Sequence, residues 1–243
     1  MRRLHVFGCS HTYGHGITPE DCVPRKKNQP TKIPSKHSWA ANLAKSINFE
    51  LINHACPGSS NHGILNQVKK AIDPTFPYKD FLDKYRKPTP QLAAKSGDIA
   101  AILFTYYNRS VIYNPNGNCD QILPPHPEWG RRHTKITRDF YRLYNIYHIE
   151  QMSLYDIEHT YLYLENIGIP FIAMFVRPIS NIHKPSVIKQ IGLDAADPIE
   201  EFVRKKFSRD QLFGADNDHW STIVHIEIGK IAEQKIQSLI TSL

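Results

Sequence analysis

The stretch GDIAAILFTYY, residues 97–107, decides the fold. A Gly-Asp turn leads into a short, nearly continuous apolar run, the pattern of a strand buried on both faces of a parallel sheet. The same kind of unit recurs outward from it. Leu4–Phe7 reads as the first strand, FELINHACPG (49–58) holds the second, and IPFIAMFV (169–176) holds the fourth. Helical patterns separate them. Ser38–Ile47 carries Ser38 as its N-cap, and SSNHGILNQVKKAI (59–72) places Ile64, Leu65, Val68 and Ile72 at helical spacing. Arg138–Asn166 reads as one long helix ending at Gly168 and Pro170. Thr222–Leu243 is amphipathic, with Ile223, Ile226, Ile231 and Ile236 among its apolar positions. Strand alternating with helix predicts an α/β fold: a parallel sheet with helices on both faces.

No domain boundary or internal repeat is evident, so residues 1–243 are read as a single domain. Two irregular insertions interrupt it, Ser110–Thr137 and Arg177–Gly214, and a third irregular stretch, Asp73–Lys95, is read as a loop with a short helix. A polar stretch with prolines at 19, 24, 30 and 34 reads as an exposed loop.

Composition narrows the function classes. No apolar run approaches the length of a membrane span, and no long apolar stretch follows the two arginines of MRRLHVFGCS. A soluble, cytoplasmic protein is the expectation. Thirty Lys and Arg against twenty-three Asp and Glu give a net charge of +7. The basic residues fall in short groups, Arg25–Lys27, Arg131–Arg132 and Arg204–Lys206, none long enough for a nucleic-acid arm. A nucleic-acid partner is therefore not expected, and an acidic glycan would suit the sign. Cys9, Cys22, Cys56 and Cys119 form no C-x-x-C pair, which argues against a zinc ribbon or a thioredoxin-like site.

The first strand runs into HVFGCSHTYGHG (5–16), a small, polar, Gly-flanked turn with Ser10 at its tip. In open parallel sheets ligands bind beyond the carboxyl ends of the strands. The Ser10 turn, the Gly58 turn and the Asn108 segment should all project over that edge. A serine hydroxyl becomes a nucleophile only when a base removes its proton, normally a histidine oriented by a carboxylate. GADNDHWS (214–221) offers both, since Asp216 lies three residues before His219 on one loop. Asp218 is the competing orienter. Oxyanion donors are available in the Ser10 N–H, the Gly58 N–H and the Asn108 amide. Cys9 is read as a buried packing residue. His11 and His15 would share a face only if their segment were helical, and the glycines and Pro19 argue against a helix there. No metal site is expected.

FGCSHTYG, NHACPGSSN, LFTYYNR and DNDHW occur in an order and spacing that resembles the SGNH hydrolases, also called the GDSL esterase/lipase superfamily. The first block resembles G-D-S-x-T-x-G, with Cys9 where Asp is common. The second resembles the glycine block, with Asn53 ending the strand and Gly58 in the turn. The last resembles D-x-x-H, with Trp220 where Pro often follows. The third departs from Gly-x-Asn-Asp: it lacks the glycine, Thr105 stands near its start, and Asn108 lies further along. FGCSFTYG-like openings also resemble phage-encoded chains.

The resemblance implies a flavodoxin-like three-layer α/β/α sandwich. It implies hydrolysis of a carboxylic ester through an acyl-enzyme, on an acyl or acetyl ester of a small molecule or glycan, with no cofactor. Ser10 would attack, His219 would shuttle the proton, and Asp216 would orient His219. Ser10, Gly58 and Asn108 would hold the oxyanion, and His11, Thr105, Arg109 and Trp220 would line the substrate pocket. The competing reading is a non-catalytic binding or structural module of the same shape, for example of a virus particle, motivated by the altered third block.

Overall fold

The computed structural model describes residues 2–18, 22–23, 26–30, 33–79, 90–93, 97–113, 119–122, 139–140, 143–144, 146–177, 198–216 and 219–241. The chain begins with strand β1 (Arg3–Phe7) and a single helical turn, α1 (Ser10–Tyr13). A short hairpin follows, β2 (Cys22–Val23) with β3 (Lys26–Pro30), then α2 (Trp39–Ser46), β4 (Glu50–Asn53) and α3 (Asn61–Ile72). Next come β5 (Ile99–Phe104), a second hairpin of β6 (Ser110–Tyr113) and β7 (Cys119–Ile122), α4 (Ile146–Asn166) and β8 (Phe171–Phe175). Helices α5 (Ile199–Lys206), α6 (Arg209–Leu212) and α7 (Thr222–Thr241) complete the chain.

Four parallel strands form the central sheet in the order β4-β1-β5-β8. All six residues of β5 are buried, as its unbroken apolar run predicts. Successive side chains on a strand point to opposite faces, and β5 divides accordingly. Ile99, Ala101 and Leu103 join Trp39 and Leu43 of α2 and Val224 and Ile228 of α7 in one core. Ala100, Ile102 and Phe104 join Ile64 and Val68 of α3 and Leu154, Ile157 and Leu164 of α4 in the other. The result is the expected three-layer α/β/α sandwich.

Local signals place several helix starts. The Ser38 hydroxyl accepts from the Ala41 N–H at 3.2 Å, and the Ser60 hydroxyl accepts from the Gly63 N–H at 3.2 Å. Such caps are worth about 0.5–2 kcal/mol each. Other expectations need correction. The proline-rich loop contains the β2–β3 hairpin, which accommodates Pro30 at a strand end where no further ladder donor is needed. The 110–137 insertion begins with the β6–β7 hairpin. Of the two insertions, residues 114–118, 123–137 and 178–197, with Trp129, Arg131 and Arg132, lie outside the described residues. So do residues 80–89, where the sequence reading allowed a short helix. The continuous α4 begins at Ile146; Asp139, Phe140 and Leu143 before it are also helical, and the Tyr144 N–H donates to the Phe140 carbonyl. In α7 the buried face is Val224, Ile228, Ala232 and Ile236, while Ile223 and Ile226 are exposed. The helix turns this stripe to the core, and at Gly229 it approaches α2 closely: a Cβ there would sit 3.2 Å from the Asn42 Cβ.

Candidate active site

β1 and β5 are neighbours, and the connections beyond them leave to opposite sides, which opens a crevice at their carboxyl ends. Ser10 lies there as the first residue of α1 and is 5% exposed. The glycine-rich segment was expected to avoid a helix, but it makes one turn. The carbonyls of Cys9 and Ser10 accept from Thr12, Tyr13, Gly14 and His15, and Gly14 closes the turn in the left-handed region at φ 80°. First-turn N–H groups have no acceptor inside their own helix, which leaves the Ser10 and His11 amides directed out of the turn. Cys9 is buried with a free thiol, as expected for a packing residue.

The Gly58 turn is tied to the Ser10 turn. Cys56 N–H donates to the Gly8 carbonyl at 3.1 Å, and the Asn53 amide reaches the Thr12 carbonyl at 3.4 Å. Tyr13 packs with Ala55 and Cys56 in a small cluster of its own. Gln67 of α3 completes the link. Its carbonyl accepts from Gly8 N–H at 3.1 Å, and its amide donates to the Gly8 carbonyl at 3.2 Å and to the Ser59 hydroxyl at 2.9 Å. Gly58 is partly exposed at φ 83°. Residue 67 belongs to an ordinary helical pattern, so the sequence gives no sign of this clamp.

The third segment is anchored through its strand end. Asn61 pairs with the Thr105 backbone, accepting from its N–H at 2.9 Å, and donates to the Ser153 hydroxyl at 2.7 Å. Arg109 donates to the Thr105 hydroxyl at 3.0 Å. Its guanidinium lies 4.8 Å from the Tyr106 ring centroid, and that of Arg177 lies 4.9 Å from it. Burial, then the nearby Glu200 charge, pushes the Tyr106 phenol up to about 12, so it remains an O–H. Asn108 sits in the turn after Tyr107 and is partly exposed.

The loop before α7 carries the best-defined chemistry. Asp216 accepts from the His219 ring Nδ1 at 2.7 Å through one oxygen and from the His219 backbone N–H at 2.9 Å through the other. An ionised carboxylate can only accept. A proton therefore lies on Nδ1, and in the neutral ring Nε2 presents the lone pair. The Asp216 side chain is 3% exposed and that of His219 is 15% exposed. Asp218 lies outside the described residues. A close backbone fit presses this loop against the segment that follows Ser10. A Cβ on Gly16 would lie 1.9 Å from the Asp216 carboxylate, and one on Gly214 would lie 2.4 Å from the Gly16 carbonyl.

Two histidines beyond the expected base also meet here. His11 stacks on Trp220 with ring centroids 3.9 Å apart and lies 5.5 Å from the His219 ring. Burial, reinforced by the Arg109 charge and the neighbouring imidazoles of His219 and His225, lowers its pKa well below the usual imidazole range and keeps it neutral. His15 meets the His219 ring edge-on at 4.8 Å, and its Nε2 lies 3.9 Å from the Asp216 carboxylate. The sequence reading considered His15 only as a partner of His11; both rings lie against His219, but His11 stacks on Trp220 while His15 faces Asp216. The structure thus gathers Ser10, His11, His219, Asp216 and Trp220 around one turn, links Gly58 to that turn, and holds Thr105 and Arg109 beside Tyr106.

No protein-family model matches the chain, and no curated protein matches it. Solved structures similar to it include an acetyl xylan esterase from the rumen bacterium Butyrivibrio proteoclasticus, with a TM-score of 0.47 and 12% identity, over 100% of this chain and 65% of that one. A family two carbohydrate esterase from Clostridium thermocellum in complex with cellohexaose has a TM-score of 0.48 and 10% identity, with 100% and 65% covered. A lipase from a goat rumen metagenome has a TM-score of 0.45 and 12% identity, with 98% and 97% covered. The chain spans about 65% of the length of the two carbohydrate esterases. Among the described residues no helix is long and apolar enough to cross a membrane.

Proposed function

We propose that this chain is a serine hydrolase that cleaves a carboxylic ester, an acyl or acetyl ester of a small molecule or glycan, through an acyl-enzyme. The observation that carries the reading is the double hold of Asp216 on His219, in a loop seated on the segment that follows Ser10. That hold fixes the tautomer and leaves Nε2 as the base. Ser10 Oγ attacks the ester carbonyl while His219 Nε2 takes its proton. The C–O bond breaks, and the imidazolium returns that proton to the leaving alcohol. Water then repeats the sequence and releases the acid. The Ser10 and Gly58 N–H groups and the Asn108 amide take the oxyanion, where preorganised donors contribute most. Neutral His11, Trp220, Thr105 and Arg109 line the approach. Two guanidiniums at Tyr106 suit a substrate that bears polar or acidic groups.

The test is labelling by a fluorophosphonate probe with a peptide map. Labelling at Ser10 that is absent in Ser10→Ala and slowed in His219→Ala supports the reading, and hydrolysis of p-nitrophenyl acetate should follow the same order. A folded protein that neither labels nor hydrolyses the ester would favour the binding module, a reading motivated by Thr105 and Tyr106 standing where Gly-x-Asn-Asp is usual.

A further inference from the structure

His15, Asp216 and His219 bring one ligand atom each to within 4.8 Å of one another. We propose that this trio is a site for a divalent transition ion of the zinc type, and that filling it silences the hydrolase. The donor set is two imidazoles and one carboxylate. It lacks the oxygen-rich shell that calcium and magnesium require and matches the nitrogen and oxygen ligands of zinc.

The spacing is close to what such an ion needs. Zinc bonds of 2.0–2.2 Å in a tetrahedron separate the ligand atoms by about 3.3–3.5 Å. The Asp216 oxygen stands 3.9 Å from His15 Nε2 and 2.7 Å from His219 Nδ1, so adjustments of well under an ångström bring the carboxylate into place, and the two imidazoles, within 4.8 Å of one another, need close by no more than about 1.5 Å. Three protein ligands leave a fourth position open, and His219, the most accessible of the three, gives the entry side. The fit is built into the backbone, because the carboxylate occupies the space that a side chain at Gly16 would fill.

Such an ion competes with the reaction. His219 Nδ1 carries the proton that Asp216 accepts, and Nε2 is the lone pair that activates Ser10. A metal on Nδ1 displaces that proton to solvent and breaks the orienting bond, whereas a metal on Nε2 occupies the base itself. Either way His219 is withdrawn. The binding half of the proposal stands alone, and the silencing half rests on the hydrolase reading.

The test uses the full chain freed of metal with a chelator. Cobalt(II) is titrated while its visible absorption is followed, and zinc by calorimetry, in wild type, His15→Gln and His15→Phe, each checked for folding by circular dichroism. The expected result is one tetrahedral cobalt and one zinc per wild-type chain, with affinity reduced at least about 10–100-fold in a folded His15 variant, since a lost ligand costs no less than a lost supporting partner. Absence of cobalt bands in the wild type, equal affinity in the His15 variants, or equal binding of magnesium overturns the site. Fluorophosphonate labelling with and without zinc is then compared within each variant. Suppression by zinc in wild type that is relieved in the His15 variants supports silencing, and a bound zinc that leaves Ser10 labelling unchanged overturns it. A wild type that binds cobalt but never labels removes the hydrolase reading and leaves the metal site.

Discussion

Substituting Gly16 by alanine separates a backbone cost from a functional one. Gly16 adopts φ +71°, and so does Gly168 at φ +68°, but a Cβ on Gly168 meets nothing within 4 Å whereas one on Gly16 lies 1.9 Å from the Asp216 carboxylate. An L-residue in the left-handed region costs about 1–2 kcal/mol. Gly168→Ala carries that cost alone. Gly16→Ala must also expel the carboxylate, which accepts from the His219 ring and backbone at 2.7 and 2.9 Å. A hydrogen bond to a charged group contributes about 1.5–3 kcal/mol, and water recovers part of it at the accessible His219, so the extra loss should be about 2–4 kcal/mol. At about 2–4 °C per kcal/mol for a chain of this size, Gly16→Ala should melt about 4–16 °C below Gly168→Ala. Thermal denaturation followed by circular dichroism reads the gap, and fluorophosphonate labelling reads the site. Gly168→Ala should label at the wild-type rate and Gly16→Ala far more slowly. Equal melting temperatures together with equal labelling rates would refute the reasoning, because the Asp216 seat would then contribute neither stability nor orientation.

Three further outcomes follow from the same geometry. Asp216→Asn can donate to His219 Nδ1 and so stabilise the wrong tautomer; the labelling rate should fall by about 10⁴-fold with the fold intact, and a loss under about tenfold would count against the assignment. Gln67→Leu strands the Gly8 N–H and the Ser59 hydroxyl and leaves the Gly8 carbonyl only the Cys56 N–H, so urea denaturation should show a loss of at least about 2 kcal/mol and Ser10 labelling should slow. His225 accepts from the Trp39 N–H at 3.0 Å, and burial lowers its pKa from 6.5 to about 3. The unfolded chain therefore binds a proton that the fold refuses, so this residue's contribution is complete above pH 6.5 and is lost as pH falls towards 3. His225→Asn keeps an acceptor without the titration; stability measured from pH 7 to pH 4 should fall less steeply than in wild type, and parallel curves would show that His225 carries no such linkage.

Period and punctuation made the layers legible. The run at 99–104, short and bounded by a Gly-Asp turn, read as a buried strand, Ser38 and Ser60 announced helix starts, and the alternation of elements pointed to a parallel sheet covered on both faces. The Asp216–His219 pair was legible for a similar reason, because three residues on one loop suffice to close the contact. The two hairpins were less legible, since their pairing is decided between short segments with no strong alternation. So was the exposure of Ile223 and Ile226, because a long apolar helix offers more than one candidate stripe and the neighbouring helix selects one.

The sequence by itself therefore determined the elements, their order, and which edge of the sheet gathers Ser10, Gly58 and Asn108, because these follow from local periodicity and from the rule that parallel strands end on one side. Only the tertiary structure decided that His15 reaches Asp216 across some two hundred positions of chain, that Gln67 clamps Gly8 to Ser59, and that His11 stacks on Trp220. Those contacts depend on how closely two backbones approach. That distance is set where Gly16 and Gly214 leave room for a carboxylate and a carbonyl, and no local pattern in the chain encodes it.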